Sequence, residues 1–248
     1  MPASSHQEAF FPESLFGGFT DADGTVAFYS RVNSLVRPSF RVVDFGCGRG
    51  AQTEDPIEFR RGLRCFKGKV EKVIGLDVDR AGYDNPWLDE FRLLTPGEQW
   101  PLPDRSVDLI FCDSVMEHLP DPGAFFREAS RVVVDGGYLC IRTPNAWSYI
   151  GLAARLVPNR HHAKVLERAQ RDRKEEDVFP TLYRCNSVFA LRRAMKRNGF
   201  EAIVYGFESE PRYLEFSRLA YALGVLHWKF APGFLRAAVF AFGRLSVR

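Results

Sequence analysis

Three carboxylates close three short apolar runs in the first half of the chain: Asp44 within RVVDFGCGRG, Asp77 after VEKVIGL and Asp113 at the end of SVDLIFCD. Each run has the length and composition of a buried β-strand. The first passes into a turn with glycine at 46, 48 and 50, interleaved with Cys47 and Arg49. A glycine turn between strand and helix lets backbone N–H groups meet a ligand with no side chain between them. An acid at the end of the next strand, here Asp77, is positioned to bridge two ribose hydroxyls. Ser114 and His118 follow the third run. Imidazole ordinarily titrates nearest neutrality, which makes His118 the candidate general base. Its MEHLP turn fits a structural hydrogen bond equally well.

Two cofactors compete for the turn, and a glycine turn without a ligand is the third reading. Gly46 to Ala51 can be written G-x-G-x-x-A, a permitted dinucleotide fingerprint. A dinucleotide would set its anionic pyrophosphate close to the carboxylate of Asp44, which is repulsive. S-adenosylmethionine brings an ammonium and a sulfonium, both favoured by a carboxylate. The electrostatics prefer the methyl donor.

The elements that must position these residues alternate along the chain. Its 248 residues, 46% hydrophobic and 26% charged, suit one α/β domain with a sizeable core. The 22 phenylalanines predict a well-filled core or an aromatic-lined pocket. Val26, Phe28, Tyr29, Val32 and Leu35 recur at helical spacing and predict a helix over 25–36, closed by Pro38. That helix is either a lid on the cofactor mouth or simply a packed helix. Asp55-Pro56 predicts a helix start, with Arg60, Arg61 and Arg64 on a solvated face. Further strands are expected at 70–76, 91–94, 106–113, 138–143 and 200–207. Helices are expected at 121–133, capped by Asp121-Pro122, and at 187–198, with a turn at Gly136-Gly137. Strand and helix in alternation imply a doubly wound, mostly parallel sheet with helices on both faces, and ligands at the carboxyl ends of its strands.

These features together resemble the class I S-adenosylmethionine-dependent methyltransferases, a Rossmann-like fold, and the branch acting mostly on small molecules. VVDFGCGRG resembles their glycine motif and VIGLDVD their ribose-binding strand end; the segment 100–145 resembles their later motifs. The resemblance implies that Asp44, Gly46, Cys47, Gly48 and Gly50 hold the methionine portion of the cofactor. Asp77 would take the ribose hydroxyls, with Val78 beside the adenine. Asp113 and Ser114 would lie under the methyl donor near the acceptor. Many relatives carry an aspartate after the third strand; here stands Pro96, so adenine contacts fall to backbone at Gly97 or Glu98. The family topology also implies seven strands, the last antiparallel and near 235–245.

Acceptor choice is expected in the second half. The domain plan is an N-terminal segment and lid helix at 1–36 and a methyltransferase domain at 37–248. Within that domain lie a substrate-cap insertion at 146–185 and an apolar, basic C-terminal segment at 208–248. In the insertion, His161 and His162 offer a base or a metal ligand, although no partner stands at ligand spacing, so no metal is expected. Tyr183 is a catalytic candidate beside His118 and Asp113, and Arg184 could hold an acidic group. Docking of that loop on the core is the alternative. Arg212, Glu215 and Arg218 form a polar stripe on an otherwise apolar face, and the stretch from Arg212 onward carries six Lys/Arg against one acid. Such a segment lies on a membrane surface, packs on the sheet or meets a dimer partner.

A net charge of +3 and the lack of an Asp/Asn-Pro-Pro-aromatic motif after Asp113 argue against nucleic acid. Five cysteines without zinc-like spacing, no signal-peptide pattern and no run of about 18 apolar residues predict a cytoplasmic protein, with peripheral contact at the inner face of a membrane as an option. The function expected is methyl transfer to an oxygen or nitrogen of a small molecule, glycan or lipid headgroup by a monomer or homodimer. An NAD(P)-dependent oxidoreductase and a non-catalytic cofactor-binding scaffold are the competing functions.

Overall fold

The computed structural model describes residues 5–156 and 180–247. Val42 and Val43, Leu109 and Ile110, and Cys140 and Ile141 are buried pairs whose side chains point to opposite faces, as strands covered on both sides require. The strands are β1 (Arg41–Phe45), β2 (Lys72–Asp77), β3 (Glu90–Leu93), β4 (Val107–Asp113), β5 (Val133–Pro144), β6 (Phe200–Phe207) and β7 (Ala238–Leu245). They form one seven-stranded sheet in the order β3-β2-β1-β4-β5-β7-β6. Pairing is parallel from β3 to β5, and β7 runs antiparallel to both its neighbours. The doubly wound sheet and its antiparallel last strand are as expected.

The helices are α1 (Ser5–Phe10), α2 (Gly24–Leu35), α3 (Glu58–Arg64), α4 (Pro122–Val132), α5 (Tyr149–Leu156), α6 (Val188–Arg197) and α7 (Arg218–Phe230). On one face α4, through Phe125, Phe126 and Ala129, and α6, through Leu191 and Met195, cover Val43, Ile110 and Ile141. On the other, Phe28, Tyr29 and Val32 of α2 join Phe66 over Val42, Leu109, Phe111 and Phe240. The side chains of Asp23, Asp121 and Ser187 accept from the first-turn N–H groups of α2, α4 and α6 respectively. Fully burying residues such as Phe28 and Phe126 contributes about 1.5–3 kcal/mol each.

Four local expectations differ. Asp55 does not cap the helix after the glycine turn: a 3-10 turn at Ala51–Glu54 intervenes and α3 starts only at Glu58. The Asp55 carboxylate accepts instead from the Ile57 N–H and pairs with Arg60. Arg60 is therefore not on a solvated face; its side chain is 11% exposed and bridges Asp55 to Asp23, at the start of α2. No loop separates α4 from the following strand, because β5 begins at Val133 and bulges. Val107 pairs with Val133 but Leu109 with Tyr138, and Gly136 takes a positive φ of 78° within the bulge. Finally, Arg212, Glu215 and Arg218 share no helix, since Arg212–Leu214 is a separate 3-10 turn and Ser217 caps α7. His161 and His162 lie outside the described residues.

A backbone seam fixes the sheet's far edge. A Cβ on Gly206 of β6 would stand 1.6 Å from the Gly233 carbonyl oxygen. Gly62, inside α3, has open space around it. Gly206→Ala is expected to cost about 1–3 kcal/mol, lowering Tm by about 2–4 °C for each kcal/mol. Gly62→Ala should gain about 0.5–1 kcal/mol by helix propensity. Thermal and urea unfolding of the two variants check the pair, and equal effects would refute the seam.

Candidate active site

A cavity of about 690 Å³ opens where β1, β2, β3 and β4 end. β1 delivers Asp44 and the backbone of Gly46, Cys47 and Gly48 to one wall. β2 delivers Asp77 and Val78, and the turn after β3 brings Thr95, Pro96, Gly97 and Glu98. Asp113, Ser114 and His118 follow β4 into the same space. Three candidates from the sequence among the described residues are not in the lining: Gly50, Tyr183 and Arg184.

Each turn residue has its own physical reason. Gly46 has a φ of 75°, and its amide N–H donates to the Leu76 carbonyl; a Cβ there would stand 2.2 Å from Val115. Gly48 has a φ of 47° and nothing within 4 Å of an added Cβ. Its N–H donates to Asp77 Oδ2 at 2.8 Å, while Asp77 Oδ1 accepts from the Asp79 N–H. Asp77 thus braces the glycine turn from the neighbouring strand. Asn85 supports it from below, donating to the carbonyls of Cys47 and Gly48. Gly50 is small because Asn85 and Trp87 crowd it. Cys47 packs inward, with its thiol pushed up by burial and by the charges of Asp44 and Asp77.

Asp113 and Asp44 are treated in opposite ways. Asp113 receives Nε and Nη2 of Arg142 at 2.7 and 2.6 Å, the Tyr29 hydroxyl at 2.9 Å and the Ser114 hydroxyl at 3.1 Å. Burial works to raise its pKa, but Arg142 outweighs it and, with Arg64 and the Tyr29 hydroxyl, holds it below the usual carboxylate value. A carboxylate so satisfied is an anchor and a poor proton acceptor. Asp44 has no such partner. Burial pushes it up to about 7, Arg64 pulling the other way and Asp113 and Asp77 adding to the rise. Arg64 itself lines the cavity, its guanidinium 5.8 Å from the Tyr29 ring centre, with its buried Nε left without a hydrogen-bond partner.

His118 Nδ1 stands 3.0 Å from the Pro180 carbonyl oxygen, an acceptor only, so the proton resides on Nδ1. Nε2 lies 3.8 Å from Glu117 Oε1. Tyr183 sits behind this turn with a φ of 50°, its N–H donating to the Glu117 carbonyl. Arg184 is spent on the Pro120 carbonyl. Sequence reasoning missed Tyr29, Arg64, Asn85 and Arg142. Arg142 carried a signal, being a charge within the buried run YLCIRT, and Asn85 stood in a DNPW turn; Arg64 looked like any arginine on an exposed helix.

The strand order and a cavity at the carboxyl ends define the Rossmann-like methyltransferase class. A family profile described as a methyltransferase domain matches residues 18–204, and the chain belongs to the S-adenosylmethionine-dependent methyltransferases. Among curated proteins it is 49% identical over 111 residues to the "Probable S-adenosylmethionine-dependent methyltransferase" of Mycobacterium tuberculosis, covering 42% of this chain and 35% of that one. It is 31% identical over 107 residues to the ubiquinone biosynthesis O-methyltransferase of Neisseria meningitidis, covering 42% and 44%. The match thus spans less than half the length of these relatives. Among solved structures, the methyltransferase bound to the Trm112 activator of Haloferax volcanii superposes with a TM-score of 0.59 at 16% identity, covering 92% of this chain and 91% of that one, a likeness of fold.

The residues present fit the family's methyl donor. The space at Gly48 admits backbone contact, Val78 offers an apolar face that is 49% exposed, and Asp44, Asp77 and Arg64 line the same cavity, the Arg64 Nε being buried without a hydrogen-bond partner. Without ligand, the elevated Asp44 makes stability pH-dependent. The unfolded acid ionises near 3.8 and the folded one near 7, so its contribution is full at low pH and is lost as pH rises through 7. Glu208, also pushed up to about 7 by burial, acts in the same direction, and His227, lowered by burial, in the opposite one. Comparison with Asp44→Asn isolates Asp44. Urea unfolding at pH 5 and pH 8 should show the wild type losing about 1–4 kcal/mol more than the variant over that interval; equal losses would contradict a protonated Asp44.

Proposed function

We propose that this chain transfers the methyl group of S-adenosylmethionine to an oxygen or nitrogen nucleophile of a small molecule, glycan or lipid headgroup. The observation that carries the reading is charge of both signs in one cavity, Asp44 and Asp77 with the cation of Arg64 beside them. A zwitterionic, sulfonium-bearing ligand complements that pattern; a pyrophosphate against Asp44 does not. The O-methyltransferase description of the Neisseria relative favours a hydroxyl acceptor.

In this reading Asp77 holds the ribose hydroxyls, Val78 covers one face of the adenine, and backbone at Gly97 and Glu98 meets its edge. Asp44 and the 46–48 backbone take the ammonium, and Arg64 takes the α-carboxylate. The bound donor supplies a methyl group already activated by its sulfonium. The protein's residues therefore have to align the acceptor, exclude water and remove a proton where the acceptor carries one. His118 Nε2 is the group for that proton, held in the right tautomer by the Pro180 carbonyl. Asp113 keeps Tyr29 and Arg142 in position, and Tyr183 is a support behind His118. The helix α2 serves as one wall of the site, and 146–185 as the cap that selects the acceptor. The five free thiols, four of them buried, fit a cytoplasmic setting.

Calorimetry should record binding of S-adenosylhomocysteine and none of NADH; the reverse would sink the reading. Arg64→Gln should cut the preference for S-adenosylhomocysteine over 5′-methylthioadenosine, which lacks the amino-acid portion, by about 10- to 100-fold. An undiminished preference would remove Arg64 from the site. In a cell extract supplied with methyl-labelled donor, His118→Gln should slow labelling of the product by about 10²-fold or more while leaving S-adenosylhomocysteine affinity unchanged. Labelling at the wild-type rate would free His118 from proton transfer.

A further inference from the structure

α7 is buried on one side only. Tyr221, Gly224 and Val225 face inward, where Phe11 and Ala22 pack and where a Cβ on Gly224 would meet Pro211 at 2.5 Å. The outer side carries Leu219, Leu223, Leu226 and Phe230 at successive helical spacings that form one stripe, and Phe216 stands just before the helix; all five are between 54% and 80% exposed. The ring of Tyr149 meets His227, joining α5 to α7, and Leu152 of α5 is 48% exposed. Beyond it Trp147 packs against Phe189 and Phe234, each 41% to 54% exposed. Scattered exposed leucines need no explanation; a continuous apolar stripe of this length does.

We propose that this face docks on an anionic lipid bilayer. Arg218 and Lys229, both exposed, flank the stripe near its two ends, with Glu215 the acid beside it. A second copy of α7 would meet it cation to cation in either direction: Arg218 near Lys229 if antiparallel, each against its like if parallel. A surface of anionic headgroups accepts both ends, while its acyl boundary takes the five apolar side chains. Trp147 follows β5 directly, so the face belongs to the same end of the sheet as the cavity. The docking does not depend on the methyl-transfer reading, because its test uses no catalysis.

The test is flotation of the full chain with vesicles of phosphatidylcholine alone and of phosphatidylcholine mixed with phosphatidylglycerol. The chain should float with the mixed vesicles and much less with the neutral ones. Leu219→Ser combined with Leu223→Ser should abolish flotation while Tm and S-adenosylhomocysteine binding stay near wild type. Arg218→Gln and Lys229→Gln should each weaken partitioning roughly five-fold. Absence of flotation, equal binding to neutral vesicles, or flotation that survives the leucine substitutions would overturn the proposal. So would a dimer in solution that the leucine substitutions dissociate, since the face would then belong to a second copy.

Discussion

Arg142 and Asp113 stand opposite one another in the register of β5 and β4, and both side chains are largely withdrawn from water. Neither charge would be tolerable there alone; removing one partner of such a pair typically costs about 3–5 kcal/mol. Both are also tied to α2, through the Thr25 hydroxyl on Arg142 and the Tyr29 hydroxyl on Asp113. The guanidinium also lies 5.5 and 5.7 Å from the ring centres of Phe28 and Tyr29. One ion pair thus fixes two strand ends and a helix at the edge of the cavity. Arg60 ties the start of that helix to α3 through Asp23 and Asp55. The glycine turn has a fixed frame to work against.

The same sheet edge holds two buried acids in contrasting states. Asp113, matched by a cation, is an ionised structural part. Asp44, one strand away, has the charge of Arg64 to offset burial but, among the described residues, no hydrogen-bonded cation. A site whose acid is incompletely compensated favours positive charge, as the proposed binding of a cationic donor requires. The charge of Arg64 lowers the pKa of both acids, so a helix residue takes part in the electrostatics of the strand ends.

Much of this was legible in the sequence because the signals were local. The glycine spacing, the acids closing apolar runs and the strand–helix alternation depend on neighbours in the chain, and they predicted the parallel sheet and the strand ends that frame the cavity; the antiparallel last strand came from the family resemblance. What escaped was non-local. Arg60 and Arg64 follow helical spacing on a short polar helix, and only the packing of α3 against α2 turns them inward. Tyr29 reads as one more apolar position until β4 is brought under it. Asp55 looks like a helix cap until Arg60 claims its carboxylate. The β5 bulge was mistaken for a loop because Gly136-Gly137 serves either purpose, and only the pairing with β4 distinguishes them. Gly50 was counted with the ligand-facing glycines, although its neighbours Asn85 and Trp87 come from more than thirty residues away.

The coupling of α2 to the ion pair also bears on how the cavity breathes. Lifting α2 away from the sheet would expose an arginine and an aspartate without their hydroxyl partners, together with the buried rings of Phe28 and Tyr29. That side can open only as part of a large cooperative unfolding unit, and such units open rarely. The opposite rim is built from Val78 and the 95–98 turn, which carry far fewer constraints. Local opening at this end of the sheet is therefore expected on the β2–β3 side rather than at α2.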